Sequence, residues 1–463
     1  MDEQRLASVI LAAGKGTRMK SDTAKVLHEI VGEPMILSPV RAARQCGCDP
    51  SVVVVGHQGD EVEKALDGEK VVAVRQENQL GTGHALLCAE PALPGFRGAV
   101  LLLCGDVPLI RSQTLEGLLE CHRREKAAVT VLTAQLEDPH GYGRIVRDGE
   151  EVNRIVEEKD ADDAERKIAE INTGIYVFEA PFVFEALRDI GCDNAQGEYY
   201  LTDAIEMARR QARPVRAVKV EDPREVMGIN DRVQLAEATA IMRERINVEW
   251  MRRGVTLVDP AATYIEANVS IDPDTVIEPG VHLRGSTSIG RGSRIEPGVV
   301  ATDCIIGDQV HLKAGSVLSG AKVGDCTDIG PMAHLRPGTV LDGENKIGNF
   351  VETKKATFGR GSKASHLAYI GDAELGSGVN IGCGTITCNY DGVNKHRTVI
   401  EDDVFVGSDT QFVAPVRIGR GALIGAGSTI TRDVPSDALA LSRAEQKVIE
   451  GWAAKKRKKQ KKN

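Results

Sequence analysis

The sequence predicts a two-part chain: an α/β half built on a mostly parallel sheet, then an all-β half whose strands stack as a parallel β-helix. Three observations predict it. Apolar strand-like runs alternate with amphipathic stretches up to about residue 230, and beyond residue 254 aliphatic residues recur every six positions. At 463 residues the chain also exceeds what one hydrophobic core sustains. Hydrophobic residues at 42% and charged residues at 27% exclude disorder as the main state.

In the first half, strand candidates fall at 7–12, 52–55, 71–74, 99–104, 129–134, 174–178 and 215–220, with amphipathic segments at 35–45 and 113–126 between them. Strands this short and this uniformly apolar imply a sheet covered on both faces. Such sheets bind ligands beyond the carboxyl ends of their strands, so chemistry is sought directly after each apolar run. Asp231 supplies an Asx cap for a helix over 231–253, and Arg252, Arg253 and Gly254 suit its end. That spacer is about 30 Å long. The expected organisation is therefore 1–230, a linker helix 231–253, a solenoid 254–437, and a C-terminal segment 438–463.

The six-residue period runs through Ile271, Ile277, Leu283, Ile289 and Ile295. After one-residue slips it resumes at Ile306, Leu312 and Leu318, then at Val323, Ile329, Leu335, Leu341 and Ile347. It ends with Ile400, Val406, Phe412, Ile418, Ile424 and Ile430. Of 48 glycines, 26 lie between residues 255 and 437, where tight corners need them. Three short strands then make one triangular coil with one aliphatic per side pointing inward. Over 387–398 (T-C-N-Y-D-G-V-N-K-H-R-T) the register is lost and recovered, so an insertion must leave the prism as a polar loop. Position alone fits a tolerated surface insertion as well as a functional loop.

Composition narrows the classes. Ten irregularly spaced cysteines show no zinc spacing and read as reduced thiols of a cytoplasmic protein. No apolar run suits a membrane span, and Met1 to Arg5 has no signal-peptide pattern. Net charge is −9, but 455–463 (K-K-R-K-K-Q-K-K-N) carries seven basic side chains, leaving 51 basic against 67 acidic residues elsewhere. A body at −16 excludes nucleic acid as the main partner, and the tail reads as a solvated, disordered end.

Directly after the first strand stands L-A-A-G-K-G-T-R-M, from Leu11 to Met19, with Lys25 a little further on. Glycines let backbone amides approach a triphosphate, while Arg18 and Lys25 add charge where a transition state gains it. Met19 replaces the third glycine of a dinucleotide fingerprint, and no G-K-[ST] forms a Walker loop. Gln76 and Gly81-Thr82-Gly83-His84 follow the third strand and suit a loop that reads a base. Asp106, in G-D-V-P past a buried strand, suits either a Mg²⁺ ligand or a turn before proline.

These motifs, with G-Y-G-R, I-V-E-x-K-D, E-I-N-T-G and N-A-Q-G-E-Y-Y, resemble the sugar-nucleotide pyrophosphorylases. Together with the solenoid, residues 6–452 resemble the bacterial bifunctional N-acetylglucosamine-1-phosphate uridylyltransferases and glucosamine-1-phosphate N-acetyltransferases. The resemblance implies a Rossmann-like nucleotidyltransferase domain followed by a left-handed β-helix, a homotrimer, and an activity feeding cell-wall synthesis. It implies that Leu11, Ala12, Ala13, Gly14, Gln76, Gly81 and Thr82 hold the uridine nucleotide and that Arg18 and Lys25 hold its phosphates. It further implies that Gly143, Glu157 and Asn172 bind N-acetylglucosamine-1-phosphate, and that Asp106 and Asn230 hold Mg²⁺. Small-molecule substrates are implied throughout: UTP, acetyl-CoA, glucosamine-1-phosphate and N-acetylglucosamine-1-phosphate, with no nucleic acid and no membrane partner.

In the solenoid half the matching segments are L-R-P-G, G-N-F-V-E-T-K-K-A, H-L-A-Y-I-G-D, V-N-I-G, N-Y-D-G and V-G-S-D-T. By the same resemblance, Arg336, Lys354, Tyr369 and Asn380 bind glucosamine-1-phosphate. Cys383, Asn389, Tyr390, Ser408, Ala426 and Arg443 meet acetyl-CoA; Cys383 and Ser365 occupy positions that are small residues in the family. One role follows from chemistry as well. An ammonium substrate must lose a proton before it attacks a thioester, and a histidine titrates in the right range to accept it. His366 stands among a lysine, a tyrosine and the polar loop. Two other readings are a catalytic first half on an oligomerising β-helix platform, and a sugar-nucleotide sensor without turnover. A platform would not require His366, Lys354, Asn389 and Tyr390; a sensor could lose Arg18, Lys25 and Asp106.

Overall fold

The computed structural model describes residues 5–460, which form two compact units divided after Arg243. The N-terminal stretch read for a signal peptide lies, before Arg5, outside the described residues.

The first unit is organised by a nine-stranded sheet. Its strands are β1 (Leu6–Ala12), β2 (Ser51–Val55), β3 (Val72–Arg75), β4 (Ala99–Cys104), β5 (Val129–Gln135), β6 (Arg144–Asp148), β7 (Glu151–Val156), β8 (Glu170–Glu179) and β9 (Val215–Lys219). The main path runs β9-β5-β8-β4-β1-β2-β3, with β6 and β7 as a hairpin attached to β8. β1 is central because its apolar residues find parallel partners on both sides: Ile10 lies between Val53 and Leu103. Alternate residues face opposite cores, as the pleat requires. Ile10, Val53 and Leu103 pack under the helices Leu37–Gln45 and Ser112–Arg124. Val9, Val52 and Leu102 pack under Thr82–Ala89, Ala180–Asp189 and Asp203–Arg210.

On the main path one strand runs against the rest. β8 is antiparallel to β4 and β5 and shifts register between Asn172 and Tyr176. Its apolar run would look the same in either direction, whereas the β6–β7 hairpin had a signal that went unread, the Asp148-Gly149 turn between alternating apolar residues.

The helix Arg232–Arg252 begins where its cap places it: Asp231 Oδ1 accepts the amides of Val233 and Gln234, both at 2.9 Å. Gly254 follows at φ +92°, a left-handed turn that ends the helix.

In the second unit the six-residue period becomes stacked coils. One side of the prism runs Ile277, Ile295, Leu312, Ile329, Ile347, Ala364, Ile381, Val406, Ile424, each the direct parallel partner of the next. All are buried. Steps of 17 or 18 residues are one coil of three hexads; the single longer step, from Ile381 to Val406, contains the insertion. The insertion leaves the prism as expected, pinched by a bridge between Tyr390 and Lys395, with 390–394 exposed. Buried Thr and Ser of the coils turn inward at little cost where the hydroxyl meets a backbone carbonyl, as Thr287 meets Arg284 O and Thr410 meets Gly407 O, both at 2.7 Å.

The tail corrects one expectation. Residues 455–460 belong to a fully exposed helix, Trp452–Gln460, rather than to an irregular end. Lysine and arginine are good helix formers, and a solvated helix keeps their charges hydrated. Residues 461–463 lie outside the described residues. All ten cysteines are free thiols, and burial pushes Cys104 up to about 12. Among the described residues no helix is long and apolar enough to cross a membrane.

The stack makes a direct prediction. Leu335 is wholly buried, with Leu318 and Thr353 as its neighbours in register. Leu335→Ala is expected to cost about 2–5 kcal/mol in urea unfolding. His334→Ala, one residue away on the outer face, should stay within about 0.5 kcal/mol.

Candidate functional sites

At the carboxyl ends of β1 and β4 the chain opens a cavity of about 330 Å³. Leu11, Ala12, Ala13, Gly14, Lys25, Gln76, Gly81, Thr82 and Asp106 line it, so these sequence-predicted positions come together. Gly105 N donates to Leu11 O at 2.9 Å and fixes the two loops to each other. Gly16, at φ +61°, turns the phosphate loop back over Lys25; a Cβ there would stand 2.5 Å from Lys25 Cβ. Gly81, at φ +109°, packs its loop against Tyr199, where a Cβ would stand 2.7 Å from Tyr199 O, again without room for a side chain. Buried Gln76 is held by Gly81 O at 3.2 Å and His84 Nδ1 at 2.9 Å.

Four polar groups meet at one edge of this cavity. Lys25 pairs with Asp106 and reaches Asn230 Oδ1 at 3.3 Å, and Arg18 donates to the same oxygen at 2.8 Å. Ile229 N donates to Asp106 O at 2.9 Å, so the loop carrying Asn230 is tied to the loop carrying Asp106. Two oxygens from separate loops thus converge on one ammonium. Among the described residues no cluster of three or more His, Cys, Asp or Glu could hold a metal by itself. An oxygen pair fits a hard divalent cation that takes its remaining ligands from phosphate and water.

Gly143, Glu157 and Asn172 form a separate cluster on β8 and the hairpin side. Gly143 O accepts from Asn172 N at 2.8 Å, and a Cβ on Gly143 would lie 3.5 Å from Glu157 Oε1. Tyr176 OH donates to Asn172 Oδ1 at 2.7 Å. Burial raises the Glu157 carboxyl, with Asp160, Asp203 and Glu198 adding to it. Sequence reasoning missed five lining residues: apolar Val26 and Ala85, the Cys104 thiol, and the polar Gln79 and Glu198. Gln79 donates to Ala13 O at 2.7 Å and sits two residues before Gly81, a position that was a usable signal.

The solenoid arranges its candidates differently. Asn349, His366, Cys383, Ser408, Ala426 and Arg443 follow one another coil by coil along a single corner. Asn349 and His366 are register partners. Asp409 N donates to Cys383 O at 2.7 Å, Gly427 N to Ser408 O at 2.8 Å, and the Arg443 guanidinium to Ala426 O at 2.9 Å. The His366 ring is exposed, and its Nδ1 lies 2.8 Å from Asn349 Oδ1.

On the neighbouring strands Lys354 and Tyr369 occupy adjacent coils, Glu352 being the register partner of Tyr369 and Lys354 that of Gly371. Arg336 donates to Glu352 Oε1 at 2.8 Å. Lys354 is held below the usual lysine range first by the ammonium of Lys395 beside it, then by desolvation and by Arg336, against an opposing pull from Asp372. Three cations therefore gather where an anion would relieve them. Lys395 was missed in sequence because it sits in the extruded loop, out of register with the other two. Asn389 is buried against Asp372, while Tyr390 is exposed with its hydroxyl on Gly392 O at 2.6 Å. Asp391, held down to about 2 by the amide of Asn394, by His396 and by the Val393 amide, staples the loop. Asn380 stands at the start of the strand Asn380–Ile381, its amide on Val404 O.

Residues 8–170 match a family model described as a MobA-like NTP transferase domain, 264–363 one described as a GMPPB C-terminal domain, and 397–432 the bacterial transferase hexapeptide repeats. Three relatives bear the name bifunctional protein GlmU. The chain is 65% identical to that of Syntrophotalea carbinolica, the match covering 98% of this chain and 97% of the relative. It is 59% identical to that of Geotalea uraniireducens, over 98% and 99%, and 57% identical to that of Pelobacter propionicus, over 98% and 100%.

Asp203, near the Glu157 cluster, yields a pH prediction. Burial, then Glu206, pushes its carboxyl up to about 6, with Arg210 opposing and Asp160 adding. A folded-state value raised above the unfolded one favours folding below about pH 4, and that contribution is lost as pH rises through about 6. Asp203→Asn should therefore raise the melting temperature at about pH 8 and give no gain at about pH 4.

Proposed function

This chain belongs to the GlmU family of bifunctional proteins, and on that footing we propose how its two sites divide the synthesis of UDP-N-acetylglucosamine. The second unit acetylates glucosamine-1-phosphate from acetyl-CoA. The first unit joins the resulting N-acetylglucosamine-1-phosphate to the uridylyl group of UTP. The observation that carries this reading is the file of candidate residues along one solenoid corner, which a mere oligomerising platform would not need.

In acetyl transfer, the sugar phosphate lies against Arg336, Lys354 and Lys395, whose mutual repulsion it relieves. Acetyl-CoA extends along the corner past Cys383, Ser408 and Ala426 to Arg443, with Asn389 and Tyr390 beside it; Tyr369 and Asn380 orient the sugar. The amine attacks the thioester carbonyl as His366 Nε2 takes its proton. The carbon–nitrogen bond forms, the carbon–sulfur bond breaks, and CoA leaves as the thiol after taking up that proton.

In uridylyl transfer, Gln76 and the backbone from Leu11 to Gly14 hold the base and ribose, with Gly81 and Thr82 closing the loop. Gly143, Glu157 and Asn172 hold the acetylated sugar. A phosphate oxygen of that sugar attacks the α-phosphorus of UTP and pyrophosphate departs. Arg18 and Lys25 stabilise the charge that builds on the transferring and leaving groups, so positioning and electrostatics supply the catalysis. Mg²⁺, when held by Asp106 and Asn230, adds positive charge to the phosphate oxygens.

A homotrimer is part of this proposal. Phe405 and Leu423, register neighbours on one side of the solenoid, each expose about half their surface, an apolar pair that a partner copy could cover. A cytoplasmic location follows from the reading, since UTP and acetyl-CoA are intracellular substrates.

The two sites are expected to fail independently. His366→Ala should lower acetyl transfer by about 10²–10⁴ and leave uridylyl transfer intact. Lys25→Ala should do the reverse. CoA release and pyrophosphate release, assayed on the same preparations, check both; loss of both activities in either variant would contradict the division.

A further inference from the structure

Asn349 carries none of the roles assigned above, yet among the described residues it makes the one hydrogen bond to the His366 ring. The fold sets the two side by side. The strands Lys346–Asn349 and Lys363–His366 are parallel neighbours, and Asn349 is the direct partner of His366. Leu367 N also donates to Asn349 O at 3.0 Å, so the backbone after the histidine is held by the same residue.

A neutral imidazole has one N–H and one lone pair, and a base needs its lone pair on the nitrogen that meets substrate. With Oδ1 toward the ring, Nδ1 must carry the proton and Nε2 is left free to accept one. The amide turned the other way would select the wrong tautomer. It would also lose its bond when the ring becomes imidazolium, because both nitrogens then donate. Only the orientation with Oδ1 toward the ring keeps the hydrogen bond before and after proton uptake.

The charge of the partner matters as well. The strand of Asn349 carries Lys346, that of His366 carries Lys363, and the next strand, Asn380–Ile381, carries no charged residue. Among the described residues no carboxylate pairs with the ring. A neutral amide orients the imidazole without placing a negative charge beside it.

We propose that Asn349 is a positioning residue for acetyl transfer, fixing the tautomer and the direction of the His366 ring through its side-chain oxygen. This rests on the reading of His366 as the base.

The test uses the full-length chain with Asn349→Ala, Asn349→Asp and His366→Ala, assaying acetyl transfer across pH and uridylyl transfer as a check on folding. Asn349→Ala should lower the kcat of acetyl transfer about 10- to 100-fold, with the KM of both substrates and uridylyl transfer unchanged. Asn349→Asp still accepts from Nδ1, so it should recover part of the rate. Its carboxylate stabilises the imidazolium, so the acidic limb of the pH–rate profile should move to higher pH. Acetyl transfer within about twofold of the unsubstituted chain in Asn349→Ala, or an acidic limb that Asn349→Asp leaves in place, would overturn the proposal while His366→Ala still abolishes the activity. Acetyl transfer surviving in His366→Ala would instead overturn the base assignment, and this inference with it.

Discussion

Every feature of the solenoid depends on aliphatic side chains stacking in register, one per side per coil. Parallel strands spaced about 4.8 Å apart leave a prism too narrow for anything but Ile, Leu, Val and an occasional small or aromatic residue. The column from Ile277 to Ile424 meets that condition at each level. Because the column fixes the coils, it also fixes what stands outside them. His366 lies over Asn349 because Ala364 lies over Ile347 two residues earlier. Chemistry at the corner is thus a by-product of packing in the middle, and the small Ala364 within the column is tolerated by its larger neighbours Ile347 and Ile381.

The first unit solves a different problem, the concentration of positive charge where phosphates arrive. Lys25 and Arg18 are not left bare; they rest on Asp106 and Asn230. Those contacts hold the two long side chains at the cavity rim and limit the conformational freedom lost when a ligand binds. The same oxygens become available when the cations turn toward phosphate. In the solenoid the logic is reversed. Lys354, Lys395 and Arg336 face one another, and Asp372 and Glu352 offset only part of the repulsion, so an incoming anion would relieve the rest.

Much of this was legible in sequence, for definite reasons. The hexad period forces a coil of three sides, and the break at 387–398 forces an extruded loop, since neither fits another fold. The loop from Leu11 to Gly14 announced itself by glycine and by its place after a buried strand. What escaped was whatever depends on strand direction or on chain segments meeting from afar. The antiparallel β8 has an apolar run that reads the same either way. Glu198 reaches the cavity from more than a hundred residues beyond Gln79. Lys395 lies outside the period that orders its partners, and Asn349 sits in a quoted motif but gains meaning only from being one coil below His366. The basic tail was misjudged for another reason: solvated charge and helix are compatible, and composition alone does not separate them.

A prism that grows by whole turns acts as a ruler with fixed gradations. His366 and Arg443 are four levels apart, and no point mutation can shift their coils by a fraction of a step. Gaining or losing a turn between them would change the reach demanded of any extended acyl donor by nearly five ångströms at once. Selection for a donor of one length therefore acts on the number of turns, while the loop at 390–394 hangs beside the ruler without being one of its marks.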